Sequence, residues 1–180
     1  NAQRRFLGTT DIELDAVGHN QARDFAKGVP GFDRVFCSPL ARALQTAQYL
    51  DPAPVELEGL KELRQGELEG MFVADAVARY PDFFSKWLLD PATTAVPGGE
   101  SLGQCRDRAM TSLDLVAQRA IPGELIAVVT HQMVIATITC TILDVPLSRW
   151  RNFGVKNVKS TVLEWDEQKW FVKAKNWSPL

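Results

Sequence analysis

At 180 residues, 46% hydrophobic and 23% charged, the chain has the size and composition of one globular domain, which excludes a disordered segment or a coiled coil. A net charge of −2 with no basic run offers nothing to nucleic acid, and the longest apolar stretch falls far short of the ~20 residues a membrane helix needs. Cys37, Cys105 and Cys140 are odd in number, widely spaced and without a CxxC pair, the usage of a reduced, cytoplasmic protein.

The opening NAQRRFLGTTDIEL is basic, then rich in glycine and threonine, and reads as a loop. Asp15 predicts the N-cap of a helix from Ala16 to Lys27, with Gly28 just past its end and Ala22, Phe25 and Ala26 as its buried stripe. Arg34 to Cys37 reads as a short strand. Ser38 and Pro39 then predict the N-cap and first position of a helix whose apolar face runs through Leu40, Ala43, Leu44, Ala47 and Leu50. Pro52 and Pro54 end it. Val55 to Glu58 alternates like an edge strand, followed by the glycine-punctuated loop LKELRQGELEG. Two short helices, Val73 to Tyr80 and Phe83 to Leu89, are separated at Pro81, and Asp90 to Gly99 reads as a surface loop.

A long helix is predicted from about Glu100 to Arg119, with Leu102, Met110, Leu113 and Val116 inward. Pro122 and Gly123 precede the apolar run Leu125 to Val129, which suits a strand buried on both faces of a parallel sheet. Thr130 and His131 fall at its end, and the spacing turns helical through Met133, Val134, Ile138 and Leu143. Val145 and Pro146 break the chain, and Ser160 to Ala174 reads as a hairpin around Asp166 and Glu167. Strands alternating with helices predict an α/β sandwich.

The strand ending at His131 puts an imidazole and a helix start at the carboxyl edge of the sheet, where open α/β folds bind ligands and helix starts favour anions. Arg42 comes after a second strand end, at Cys37, where a guanidinium can hold a phosphate through two parallel hydrogen bonds. Glu62 lies in a loop between Leu60 and Leu63. Desolvation and its acidic neighbours Glu67 and Glu69 would raise its pKa and suit it to proton donation. Arg4, Arg5 and Gly8 could add an anion-binding rim. Taken singly, each has a plainer reading: a strand-end histidine, a solvated helix arginine, an acidic loop, a frayed basic terminus. His19 reads as a surface histidine, and two histidines cannot assemble a zinc site. No GxGxxG or P-loop motif occurs.

The string SPLARALQTA, Ser38 to Ala47, resembles the SPLxRAxQTA signature of the histidine phosphatase superfamily, also called phosphoglycerate mutase-like. Further matches come in that family's order. Asn1, Arg5, Phe6, Gly8 and Asp11 resemble its NxxxRFxGxxD segment, and Gly18, Gln21 and Ala22 its GxxQA. Leu60, Glu62, Gly66, Glu69 and Gly70 are similar to its LxExxxGxxEG, Pro97 to Ser101 to its PGGES, and Val128 to His131 to its VVTH. The resemblance spans nearly the whole chain and implies a single domain, a three-layer α/β/α sandwich with a mostly parallel central sheet.

It also implies a chemistry. A phosphoryl group passes to a histidine, and water hydrolyses the phosphohistidine. Arg42 and His131 would clamp the phosphoryl oxygens. Glu62 would protonate the leaving oxygen and then deprotonate the attacking water. Asn1 would hydrogen-bond the phosphate or the nucleophile, Arg5 and Gln132 would add to the phosphate site, and the backbone near Leu7 and Gly8 would line the substrate mouth. No metal or other cofactor is required. The implied partner is a small phosphorylated metabolite, not nucleic acid or membrane, and the sequence leaves room for a homodimer.

Two positions depart from the family pattern. The Arg-His-Gly motif that supplies the nucleophilic histidine, together with the family's first strand, is expected about six residues before Asn1. With Asn1 in place of an initiator methionine, a truncated chain is the simplest expectation, and a natural pseudoenzyme the other. Gln132 stands where many relatives have glycine, a His-Gln pair like that of fructose-2,6-bisphosphatases. Only 34 residues separate Glu62 from Pro97, which leaves no room for the long insertion of cofactor-dependent mutases. The leading expectation is therefore a phosphatase, with a mutase or a catalytically dead phosphate binder as alternatives and specificity assigned to Val73 to Val96.

Overall fold

In the computed structural model, which describes residues 5–179, three short parallel strands carry the architecture. Strand β1 (Arg34–Cys37) lies between β2 (Val55–Glu56) and β3 (Ile126–Val129), with Cys37 opposite both Glu56 and Val129. Parallel pairing in this register brings all three carboxyl ends to one edge of the sheet. The segment leaving each strand is thereby delivered to the same place.

Side chains alternate across the strands, and the two faces bury different partners. Val35 and Cys37, with Ala127 and Val129, pack against Leu44 and Ala47 of α2 (Ala41–Ala47). Val128 points the other way, into a larger cluster built on α5 (Leu102–Arg119) and α6 (Gln132–Ile142), with Leu113, Val134 and Ile138 at its heart. Helix α1 (Ala16–Gly28) packs on α2. The result is helix, sheet, helix: the expected mixed α/β sandwich. Helices α3 (Val73–Arg79) and α4 (Pro81–Leu89) add Ala76 and Trp87 to the larger cluster. An antiparallel hairpin of β4 (Ser160–Trp165) and β5 (Trp170–Trp177) forms a second sheet against α6.

Local chemistry accounts for most boundaries. Asp15 caps α1 by accepting from Gly18 N, and Pro81 occupies the first turn of α4. Ser101 and Gln104 form a reciprocal capping box, which starts α5 at Leu102 rather than Glu100. Three expectations are corrected. Helix α2 begins at Ala41 with Leu40 as N-cap, because the Ser38 hydroxyl accepts from Leu40 N and is engaged by His131 instead of capping. The expected strand at Val55 to Glu58 is two residues long, since Glu58–Leu60 turns into a 3₁₀ helix. Strand β3 is half-buried, not buried on both faces; among the described residues it has a paired neighbour on one side only, so fewer side chains flank it.

Candidate active site

The segments leaving the three strands carry the three residues singled out by sequence. Beyond β1 come Ser38 and, on α2, Arg42; beyond β2 comes Glu62; beyond β3 comes His131, the N-cap of α6. His131 Nε2 lies 2.8 Å from Ser38 Oγ, and Met133 N donates to Glu62 Oε1 at 3.3 Å. Thr130 Oγ1 donates to Leu60 O at 2.7 Å, tying the end of β3 to the turn that presents Glu62. The Arg42 charge acts on both Glu62 and His131. One site therefore holds the guanidinium, the carboxyl and the imidazole.

Electrostatics gives each a distinct protonation state. Burial is the main cause that raises the Glu62 carboxyl to about 7; bonds from Leu63 N and Met133 N and the charges of Arg42 and Arg108 oppose it without prevailing. Glu62 stays partly open, as a group that trades protons with a ligand must be. His131 is pushed down to about 3 by burial, then by Arg42 and Arg108. It therefore stands as a neutral imidazole at neutral pH until an anion offsets those cations. Burial also lowers Arg42, against Glu62, Asp11 and Glu69, which raise it. The expectation that the start of α6 is free for an anion needs amending, because Met133 N is turned to Glu62.

The loop at 8–11 orients Arg42. Its Nη2 donates to Gly8 O at 2.9 Å and its Nη1 to Thr10 O at 3.0 Å, two of the five guanidinium donors. The loop is itself pinned, since Thr9 and Thr10 each give a backbone N–H and a hydroxyl to the Glu69 carboxylate. Burial alone would raise Glu69, but those bonds outweigh it and hold it low. Asp11 accepts from Ala41 N at 2.7 Å, fastening the loop to the start of α2. Gly8 is buried, and its neighbour Leu7 half-buried. Arg5 donates to Gly70 O at 2.6 Å and lies over the Phe72 ring, at the bridge between residues 5 and 72. Exposed Gln132 faces Gly154, where a Cβ would come 2.9 Å from its Nε2. Asn1 and Arg4 lie outside the described residues.

Gly8→Ala tests this loop. A Cβ there would stand 2.5 Å from Glu69 Oε1 and 2.7 Å from Gln65 N, backbone that cannot yield cheaply. The expected result is a loss of about 1–3 kcal/mol of stability in urea unfolding, the usual range for overpacking. Unchanged stability would mean that the loop is not held as described.

Sequence reading missed the residues that hold these groups. Ser38 reads as a helix cap, yet it is fully buried against His131. Glu69 reads as a solvated acid, and nothing in the sequence gives Glu100 or Arg108 a role. His19, expected at the surface, is half-buried on α1 with Nδ1 3.1 Å from Tyr49 Oη. The glycine- and threonine-rich opening loop is legible in the sequence, but its partner Glu69 is not. The others depend on contacts across more than thirty residues of sequence.

The sequence matches the histidine phosphatase superfamily (branch 1) over residues 1–178. It is 33% identical to the uncharacterized phosphatase PhoE of Bacillus subtilis over 186 residues, covering 98% of this chain and 88% of that one. Phosphoserine phosphatase 1 of Hydrogenobacter thermophilus is 28% identical over 175 residues, covering 94% of this chain and 82% of that protein. Among solved structures, a mycobacterial glucosyl-3-phosphoglycerate phosphatase superposes with a TM-score of 0.83 at 27% identity, over 99% of this chain and 93% of that one.

Proposed function

The chain belongs to the histidine phosphatase superfamily, and from that membership we propose that it is a phosphatase hydrolysing a small phosphomonoester through a phosphohistidine. The nucleophile is the histidine of the family's Arg-His-Gly motif, placed just before Asn1 in the full-length protein. Its ring nitrogen attacks phosphorus and the ester P–O bond breaks. Glu62 gives its proton to the departing alkoxide, then takes one from the water that cleaves the P–N bond. Arg42 and His131 hold the phosphoryl oxygens as charge moves onto them. Asn1 completes the phosphate site, with Arg5 and Gln132 at its rim and Leu7 and Gly8 at the mouth.

The observation that carries this reading is the Glu62 carboxyl, bonded by Met133 N two residues past His131, lying in the field of Arg42 and raised by burial to about 7. A dianionic substrate needs fixed cations, and an alkoxide leaving group needs an acid whose pKa lies near the working pH. Phosphatase is favoured over mutase because the 34 residues between Glu62 and Pro97 hold no more than a 3₁₀ turn (Gly66–Leu68) and the short helices α3 and α4. A mutase must keep its intermediate from water and needs a larger lid. The relatives are named for different phosphoesters, so the substrate class is a small phosphorylated metabolite and no single compound. We place the protein in the cytoplasm: Cys37, Cys105 and Cys140 are buried free thiols, and among the described residues no single helix is long and apolar enough to cross a membrane.

Full-length protein assayed on p-nitrophenyl phosphate should turn over without added metal. A folded protein with no turnover would instead be a phosphate binder. His131→Ala should cost on the order of 100-fold in kcat/KM, as loss of one preorganised donor does in an oxyanion site. A loss within threefold would reduce His131 to a support for Ser38.

A further inference from the structure

Arg108, on α5, spends its whole fork on the protein. Nη1 donates to Gly59 O at 2.8 Å and Lys61 O at 2.6 Å, and Nη2 to Glu62 O at 3.0 Å and to Glu100 Oε1. Nε donates to Glu100 Oε2 at 3.1 Å. All five guanidinium donors are thereby matched, so Arg108 has none left for a ligand. Glu100 is buried, and its Oε1 also accepts from Arg64 N at 2.9 Å, so the carboxylate braces both the arginine and the chain just past Glu62. The turn is pressed closely onto α5: a Cβ on Gly59 would stand 2.6 Å from Arg108 O. A fold that needed only a buried ion pair would not require the guanidinium to gather three carbonyls from one four-residue turn.

We propose that Arg108, braced by Glu100, is a positioning residue for the reaction, aiming the Glu62 carboxyl by gripping the backbone on either side of it. The inference rests on the reading of Glu62 as the proton donor. The grip on Lys61 O and Glu62 O fixes the peptide that carries the Glu62 side chain, while Thr130 holds Leu60 O from the opposite element. Geometry at this level matters, since misplacing a catalytic group by about 1 Å can cost on the order of 100-fold. Lysine at 108 keeps the charge but offers a point donor in place of a planar fork, so it cannot hold these carbonyls and Glu100 together.

The test compares Arg108→Lys with Glu62→Gln in full-length protein, measuring kcat/KM on glycerol 2-phosphate and on p-nitrophenyl phosphate. The second substrate releases an acidic phenol that scarcely needs a proton donor. The expected result is a loss of about tenfold or more on glycerol 2-phosphate and within about threefold on p-nitrophenyl phosphate, a milder copy of the Glu62→Gln pattern. If Arg108→Lys lowers both substrates equally while Glu62→Gln still spares the aryl ester, Arg108 only supports the fold and the proposal is overturned. If Glu62→Gln itself fails to distinguish the substrates, the proton-donor reading falls and takes the proposal with it. Should Arg108→Lys not fold, Glu100→Gln leaves the guanidinium in place but loosens its brace, and the same ratio of the two substrates decides.

Discussion

Arg42→Ala in the full-length protein is expected to lower kcat/KM on p-nitrophenyl phosphate by about 1,000-fold or more, with little change in thermal stability. The magnitude comes from charge: a guanidinium aimed at a transferring phosphoryl group is worth roughly 10³–10⁵ in comparable sites. Arg42 is well prepared for that task. Gly8 O and Thr10 O fix its plane while leaving donors over, and partial burial strengthens what it does to a bound anion. Arg42→Lys should recover little, because an ammonium cannot take two carbonyls and also present two parallel donors to a phosphate. If Arg42→Ala stays within a few-fold of the parent, the guanidinium is a strut for the 8–11 loop and the phosphate clamp lies elsewhere. A loss of binding to inorganic phosphate alongside the loss of rate would separate the clamp from a purely structural role.

How much of this was legible beforehand depended on distance along the chain. Helix α1 with its Asp15 cap, strand β1 and the break between α3 and α4 at Pro81 are governed by neighbours within four residues, and the sequence displays them, though α4 begins at Pro81 itself and not at Phe83. The meeting of Arg42, Glu62 and His131 came from strand ends in a parallel sheet, given the rule that ligands gather at that edge. Ser38 shows the limit. Its place before Pro39 satisfies every local criterion for a cap, but His131, 93 residues on, engages its hydroxyl and the helix starts two residues late. The protonation states were only partly accessible. The raised Glu62 carboxyl is expected from desolvation and comes from burial, not from Glu67 or Glu69, while the neutral form of His131 depends first on its burial and then on two arginines brought in from α2 and α5. Glu100 and Arg108 sit eight residues apart on what reads as an ordinary amphipathic segment, and their purpose appears only when the 59–62 turn lies against them.

Glu62→Gln is expected to lower kcat/KM on an alkyl phosphate by about 10²–10⁴-fold while sparing p-nitrophenyl phosphate to within about tenfold. The two substrates separate because kcat/KM reports the first chemical step, in which only the alkoxide depends on a donated proton. The later use of Glu62 as a base appears in kcat, which should fall for both. The same carboxyl makes a claim about stability that needs no substrate. With its pKa at about 7 in the folded chain and near 4.3 when unfolded, the folded state holds the extra proton between those values. Stability from this group is therefore complete below about pH 4 and is lost as pH rises through about 7. Glutamine cannot ionise, so the variant's unfolding free energy should fall less than the parent's between pH 5 and pH 8, measured by urea titration. Equal losses on both esters would remove Glu62 from the proton-donor role. Parallel stability profiles would show that its carboxyl is ionised at neutral pH, and with that the acid, the aim supplied by Arg108 and the preference for basic leaving groups would all have to be abandoned together.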